Sequence, residues 1–234
     1  MTRILHKTAV LAAASYLLFV GTSALAQAKD KPAKPPKGAI VLFDGKDVSG
    51  WVHRGSGRPC AWKVENGYME VVPGTGDIHT VKEFGDAKIH VEFCVPYMPE
   101  ATGQARGNSG VYIQGLYEIQ VLDSYGLTPG LGDCGAIYGV APPKVNAAKK
   151  PGEWQTYDIT FYAPRFDSQG NMTQRARISV VWNGVKVHDN VEVGGRTVAS
   201  VERDMTKPGP LLLQDHGCKV RYRNIWVLPL KSSK

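Results

Sequence analysis

Helical periodicity is almost absent from this chain of 234 residues, and past residue 20 no apolar run approaches the length of a membrane span. Its four cysteines, Cys60, Cys94, Cys134 and Cys218, follow no zinc-like spacing. Charge of one sign is also scarce where it would matter. The formal net charge is +7, but Arg3 and Lys7 carry +2 of it, and Lys29, Lys31, Lys34 and Lys37 less Asp30 carry +3. About +2 is left for the rest, too little for a nucleic-acid or acidic-lipid surface. Helical bundles, zinc modules and nucleic-acid binders are thereby set aside.

What is present begins with a leader. Residues 1–26 place Arg3, His6 and Lys7 before an apolar run at 8–20 and small residues Ala24 and Ala26 at a cleavage position, the pattern of a secretory signal. No cysteine sits at that point for a lipid anchor. The expectation is a periplasmic or secreted protein with no membrane insertion after signal cleavage. Residues 27–37, rich in lysine and proline, read as a solvated linker. Residues 38–230 form the domain. In an exported chain up to two disulfides are open to the cysteines, and Cys60 and Cys134, both in turn-rich sequence, are candidates for a bridge.

Nearly every readable element of the domain is a strand. Residues 39–43, 87–95, 153–164, 211–214 and 220–228 are apolar or alternate with period two, and 62–72 and 177–193 read as hairpins turning at Asn66-Gly67 and Asn183-Gly184. Residues 125–152, rich in glycine and proline, are a loop system placed to cover a site. Many short strands between regular turns predict an all-β chain, a two-sheet antiparallel sandwich or jelly roll.

Residues 107–124, GNSGVYIQGLYEIQVLDS, form the most informative hairpin. A three-residue loop at 115–117 sets Gln114 opposite Glu118 and Tyr112 opposite Gln120, leaving Val111, Ile113, Ile119 and Val121 on an apolar face. The polar face then carries Tyr112, Gln114, Glu118 and Gln120. Amides and a tyrosine suit the hydroxyls and ring faces of a sugar; exposure to solvent is the plain alternative.

Seven blocks in order resemble the 3-keto-disaccharide hydrolase family: LFDGKDVSGW (42–51), WKVENG (62–67), GDIHTVKEFGD (76–86), RGNSGVYIQGLYEIQVLDS (106–124), CGAIYG (134–139), PGEWQTYDITF (151–161), and LQDHG with RYRNIWV (213–227). The resemblance implies a concanavalin A-like sandwich whose concave face holds carbohydrate. It also implies cleavage of glycosidic bonds in sugars oxidised at C3. There the ketone acidifies the C2 hydrogen, so one base and a group that stabilises an enolate suffice.

A retaining glycosidase instead needs two carboxylates about 5–5.5 Å apart. Here position 120 is an amide, and Asp123 lies an odd number of residues from Glu118, on the opposite face of a regular strand. The paired-carboxylate reading is therefore disfavoured.

The candidate catalytic residues are Glu118 first, then Asp123, whose ordinary role is to cap a turn, and His216, which follows an apolar strand beside Asp215. Candidate substrate-binding residues are Arg106, Asn108, Tyr112, Gln114, Gln120 and Tyr138, with Asp77 and His79 as an alternating pair. No close ligand spacing points to a metal, although a divalent ion would suit an enolate. The expected partner is a small carbohydrate, not nucleic acid. The alternative is a non-catalytic carbohydrate-binding module of lectin-like fold, since one fold serves both.

Overall fold

In the computed structural model, residues 32–231 are described; the signal-like leader and the first part of the linker lie outside them. The larger of two antiparallel sheets runs β13 (Val185–Val193), β12 (Ala176–Trp182), β9 (Gln155–Tyr162), β6 (Ala87–Cys94), β15 (Arg221–Pro229), β4 (Tyr68–Glu70) and β3 (Lys63–Glu65), with β1 (Ile40–Phe43) paired to β15. The smaller sheet orders β2 (Trp51–His53), β5 (Ile78–Phe84), β14 (Gly209–Leu213), β7 (Ser109–Ile113) and β8 (Tyr117–Val121). A ribbon of β10 (Arg165–Phe166) and β11 (Met172–Gln174) stands apart. This is the expected all-β, two-sheet antiparallel sandwich. Among the described residues the one helical element is a 3-10 turn, Gly103–Ala105, and no helix is long and apolar enough to cross a membrane.

Sequence alternation builds the core directly. On β9, Tyr157, Ile159 and Phe161 are buried while their neighbours are half-buried or exposed, and Ile178, Val180 and Trp182 repeat this on β12. Tyr117 of the smaller sheet meets Phe161 of the larger at 5.5 Å between ring centroids, joining the layers. Truncating Phe161 to Ala would cost about 3–5 kcal/mol by opening a cavity there. Both Asn-Gly hairpins turn as expected: φ is +48° and +80° at Asn66-Gly67, and +51° and +82° at Asn183-Gly184.

The hairpin of β7 and β8 departs from expectation in register. Ile113 faces Tyr117, Tyr112 faces Glu118, Val111 faces Ile119 and Gly110 faces Gln120. The loop is Gln114-Gly115-Leu116, one position earlier than expected, because Gln114 adopts φ +55° and opens the turn. Gln114 thus leaves the strand face, and its Nε2 donates to Phe84 O at 2.8 Å. Tyr117 moves to the core side. The polar face keeps Tyr112, Glu118 and Gln120, and solvent does not cover it: every residue of both strands is buried.

No disulfide joins any of the four cysteines, so the candidate bridge is not formed. Cys134 is buried with its Sγ 3.1 Å from Tyr157 Oη rather than near Cys60.

Candidate active site

Three segments close over the outer face of the β7–β8 hairpin, the face turned away from the core. Along the free edge of β8, Tyr138 N–H donates to Glu118 O, and Gln120 exchanges backbone bonds with Gly135 and Ala136. The loop at 125–152 therefore flanks the site as a sheet-like border. From the other side Thr197 Oγ1 accepts from Glu118 N–H at 3.0 Å, and Val201 N–H donates to Gly115 O at 2.8 Å. The 3-10 turn brings Gln104, whose Oε1 accepts from Asn108 Nδ2 and Gln120 Nε2, both at 3.0 Å.

These segments enclose a cavity of about 90 Å³ lined by Gln104, Asn108, Tyr112, Glu118, Gln120, Tyr138, Val198, Ala199, Gln214 and His216. Among the described residues Glu118 is its one carboxylate, and no lysine or arginine lines it. The carboxyl lies where a side chain at position 110 would be: a Cβ on Gly110 would meet Glu118 Oε1 at 2.6 Å and Tyr112 Cε2 at 2.7 Å. Only glycine leaves that space.

Glu118 is 3% exposed. Burial pushes its pKa up to about 7 against a smaller opposing hydrogen bond with Tyr112, and the charge of Asp77 adds to the rise. Tyr112 is held neutral, raised by burial and then by the Glu118 charge, and Gln214 Nε2 donates to its Oη at 3.2 Å. Support reaches the floor from the core, where Tyr222 Oη donates to Ser109 Oγ at 2.7 Å and Ser109 Oγ to Gln214 O at 2.6 Å. Asn108 Oδ1 and Gln214 Oε1 are buried acceptors with no protein partner. Tyr138 and His216 bring side-chain donors that no protein group engages. The cavity thus pairs a carboxyl poised to give or take a proton with unengaged donors and acceptors.

Of the candidates from sequence, Glu118, His216, Asn108, Tyr112, Gln120 and Tyr138 meet at this cavity. The others lie elsewhere. Arg106 donates to Asp123 O from Nε and Nη2 and pairs with its carboxylate at 3.3 Å, while Asp123 Oδ1 caps the turn at Tyr125, so both are committed to that turn. Gln114 sits in the hairpin loop. His79 shares the outer face, in the row Val52, His79, Leu212, Tyr112, but its Nδ1 donates to Thr80 O and it does not line the cavity. Asp77 is paired with Arg54 at 3.0 Å just behind the cavity wall. Sequence reasoning missed Gln104 and Gln214; the first lies in a loop with no periodic signal, the second at the end of an apolar strand.

Among the described residues, no group of three or more His, Cys, Asp or Glu side chains stands where it could hold a metal ion. A larger cavity of about 580 Å³ lies between β10 and residues 205–208, at the turn end of the hairpin. Its buried carboxylate, Asp86, is held by Arg165 through two oxygens and by the Ala163 amide, and its other carboxylate, Asp167, accepts from the Gln169 and Asn171 amides.

The two-sheet sandwich, with its amide-lined polar cavity and one buried carboxyl, falls in a carbohydrate-active class by the family it matches. Within that class the chain belongs to the family of the 3-keto-alpha-glucoside-1,2-lyase-like domain, which it matches over residues 38–228. A crystal structure from Parabacteroides distasonis, named "putative glycosyl hydrolase", is 37% identical with a TM-score of 0.76, over 86% of this chain and 93% of that one. A second protein from the same organism and bearing the same description is 22% identical with a TM-score of 0.64, over 86% and 100% of the two chains, and shares the fold. No curated protein matches the chain.

Proposed function

We propose that the protein is an exported enzyme that cleaves the glycosidic bond of 3-keto-glycosides, 3-keto-disaccharides among them, by base-initiated elimination. The observation that carries this reading is the solitary, buried Glu118 with its pKa near 7. A glycosidase of the two-carboxylate kind needs a partner about 5–9.5 Å away across the bond, and no other carboxylate lines the cavity.

Glu118 takes the C2 proton, which the C3 ketone has acidified. The C2–H pair becomes the enolate, and the enolate expels the C1 oxygen to leave a C1–C2 double bond beside the restored ketone. A donor at the rim, His216 or Tyr138, protonates the departing oxygen. Water adding at C1, with return of the proton to C2, completes hydrolysis; release before that step makes the enzyme a lyase. Neutral Tyr112, held by Gln214, orients the Glu118 carboxyl. Asn108 Oδ1 and Gln214 Oε1 are acceptors for sugar hydroxyls.

The deciding experiment incubates the pure protein with 3-keto-trehalose and with trehalose, each with and without chelator. Cleavage of the keto sugar alone is expected. Binding without cleavage would instead make the domain a carbohydrate-binding module.

A further inference from the structure

Two walls of the cavity, residues 198–200 and 214–216, have no backbone pairing to each other, yet one ion pair fastens both. Asp77 Oδ1 accepts from the Asp215 amide at 3.0 Å, and Asp215 Oδ2 accepts in return from the Gly76 amide at 3.0 Å. Asp77 Oδ2 accepts from Arg54 Nη1 at 3.0 Å. The same guanidinium reaches the other wall, donating to Ala199 O from Nη1 and to Ser200 O from Nη2, each at 3.3 Å. Ala199 is itself held at φ +60°, a conformation a non-glycine residue keeps only when its surroundings impose it.

We infer that Arg54 and Asp77 are positioning residues, a joint that holds the 198–200 wall and the Gln214–His216 wall at fixed separation across Glu118. This rests on the reading of Glu118 as the base. The planar fork of arginine serves the carboxylate and two carbonyls at once, which lysine cannot do. The joint also acts through charge. Asp77 pushes Glu118 toward its protonated form, and the Arg54 charge paired with it, which opposes Asp77 at neighbouring Tyr112, offsets that field. The other titratable groups facing Glu118 are Tyr112, Tyr138 and His216 in the cavity and Tyr222 beneath it.

The test is a carboxyl-carbon NMR titration of Glu118, with amide exchange at Thr197 and Val201, in Asp77→Asn and Arg54→Met. Asp77→Asn removes the charge and keeps one of the two acceptors, the one facing the Asp215 amide, so Glu118 should titrate at lower pH. Arg54→Met leaves the Asp77 charge uncompensated, so Glu118 should titrate at higher pH, and both amides should exchange about tenfold faster as the wall loosens. Simple loosening would admit water and lower Glu118 in both variants. Shifts of the same sign, or none, overturn the joint, as do unchanged exchange rates. If Arg54→Met fails to fold, Arg54→Lys keeps the charge and loses the fork, and should speed exchange while leaving the titration in place; equal exchange there overturns the inference. Neither readout needs turnover. Inactivity toward 3-keto sugars would therefore sink the proposed reaction and leave the joint standing.

Discussion

Glu92 and Glu118 are equally buried, each 3% exposed, on the outer faces of the two sheets, and they are opposite in chemical state. Burial raises both. At Glu92, hydrogen bonds from His90, Asn224 and Arg223 outweigh it and hold the carboxylate down to about 2. Arg223 Nε lies 2.6 Å from Glu92 Oε2 and stacks its guanidinium 4.1 Å over Trp154, while His90, 2.6 Å from Asp158, lies flat on Trp226. His90 is lowered by burial but raised more by Asp158 and Glu92, to about 9. At Glu118 no cation lines the cavity, and burial prevails. The same side chain is thus a structural anion on one sheet and, on the other, the group proposed to move the proton, and partners rather than depth decide the difference.

The sharpest way to break this contrast is activity. Glu118→Gln should lower kcat/KM on a 3-keto-glycoside by about 10²–10⁴-fold, the range for a lost general base, while Glu92→Gln stays within a few-fold. Comparable losses in both would remove Glu118 from the mechanism.

Next comes stability, where the two sites should respond with opposite sign. Raising a carboxyl pKa from 4.5 to about 7 means the folded state is penalised once the group ionises. The penalty is absent below pH 4.5, grows as pH rises, and is complete above 7, at roughly 3 kcal/mol. Urea melts should therefore find Glu118→Gln more stable than the parent at pH 8, by up to that amount, and equal to it at pH 4. Glu92→Ala should cost about 3–5 kcal/mol at pH 7 because it takes from the half-buried Arg223 its carboxylate partner. The Glu92 contribution is present above pH 4.5 and is lost as pH falls through 2.

A smaller effect sharpens the geometry. Gly110→Ala should reduce turnover about tenfold or more by displacing the Glu118 carboxyl, at a cost in melting temperature that Glu118→Ala relieves. The pH dependence of kcat/KM should rise with a midpoint near 7 from Glu118, with no inflection assignable to Glu92. A flat profile between pH 5 and 9 would contradict the assignment of the base.

The fold was largely legible because period-two alternation and Asn-Gly turns are local signals. β2 escaped notice because three residues are too few to show a period, and of β5 only the start, where Asp77 and His79 alternate, was legible, because Val81, Lys82 and Glu83 are all exposed and break its alternation. In the site, the alternation of Tyr112, Glu118 and Gln120 marks the right face. The register slipped by one loop position because the left-handed turn begins at Gln114, a residue type that rarely takes it. His90 and Glu92 could be read as one strand face, but not as buried, since their covers Trp226, Trp154 and Arg223 come from distant strands. Arg54 carries no local signal at all; its role exists only where β2 ends beside residues 199–200.

The four cysteines, none of them bridged, bear on how this protein can be handled. Cys94, Cys134 and Cys218 are buried, and the half-buried Cys60 has its pKa raised by burial, so it carries little reactive thiolate at neutral pH. No covalent crosslink has to form for the sandwich to close. Material made in a reducing cytosol should therefore fold identically to material made in an oxidising compartment, and reductant in the buffer should leave its melting temperature unmoved.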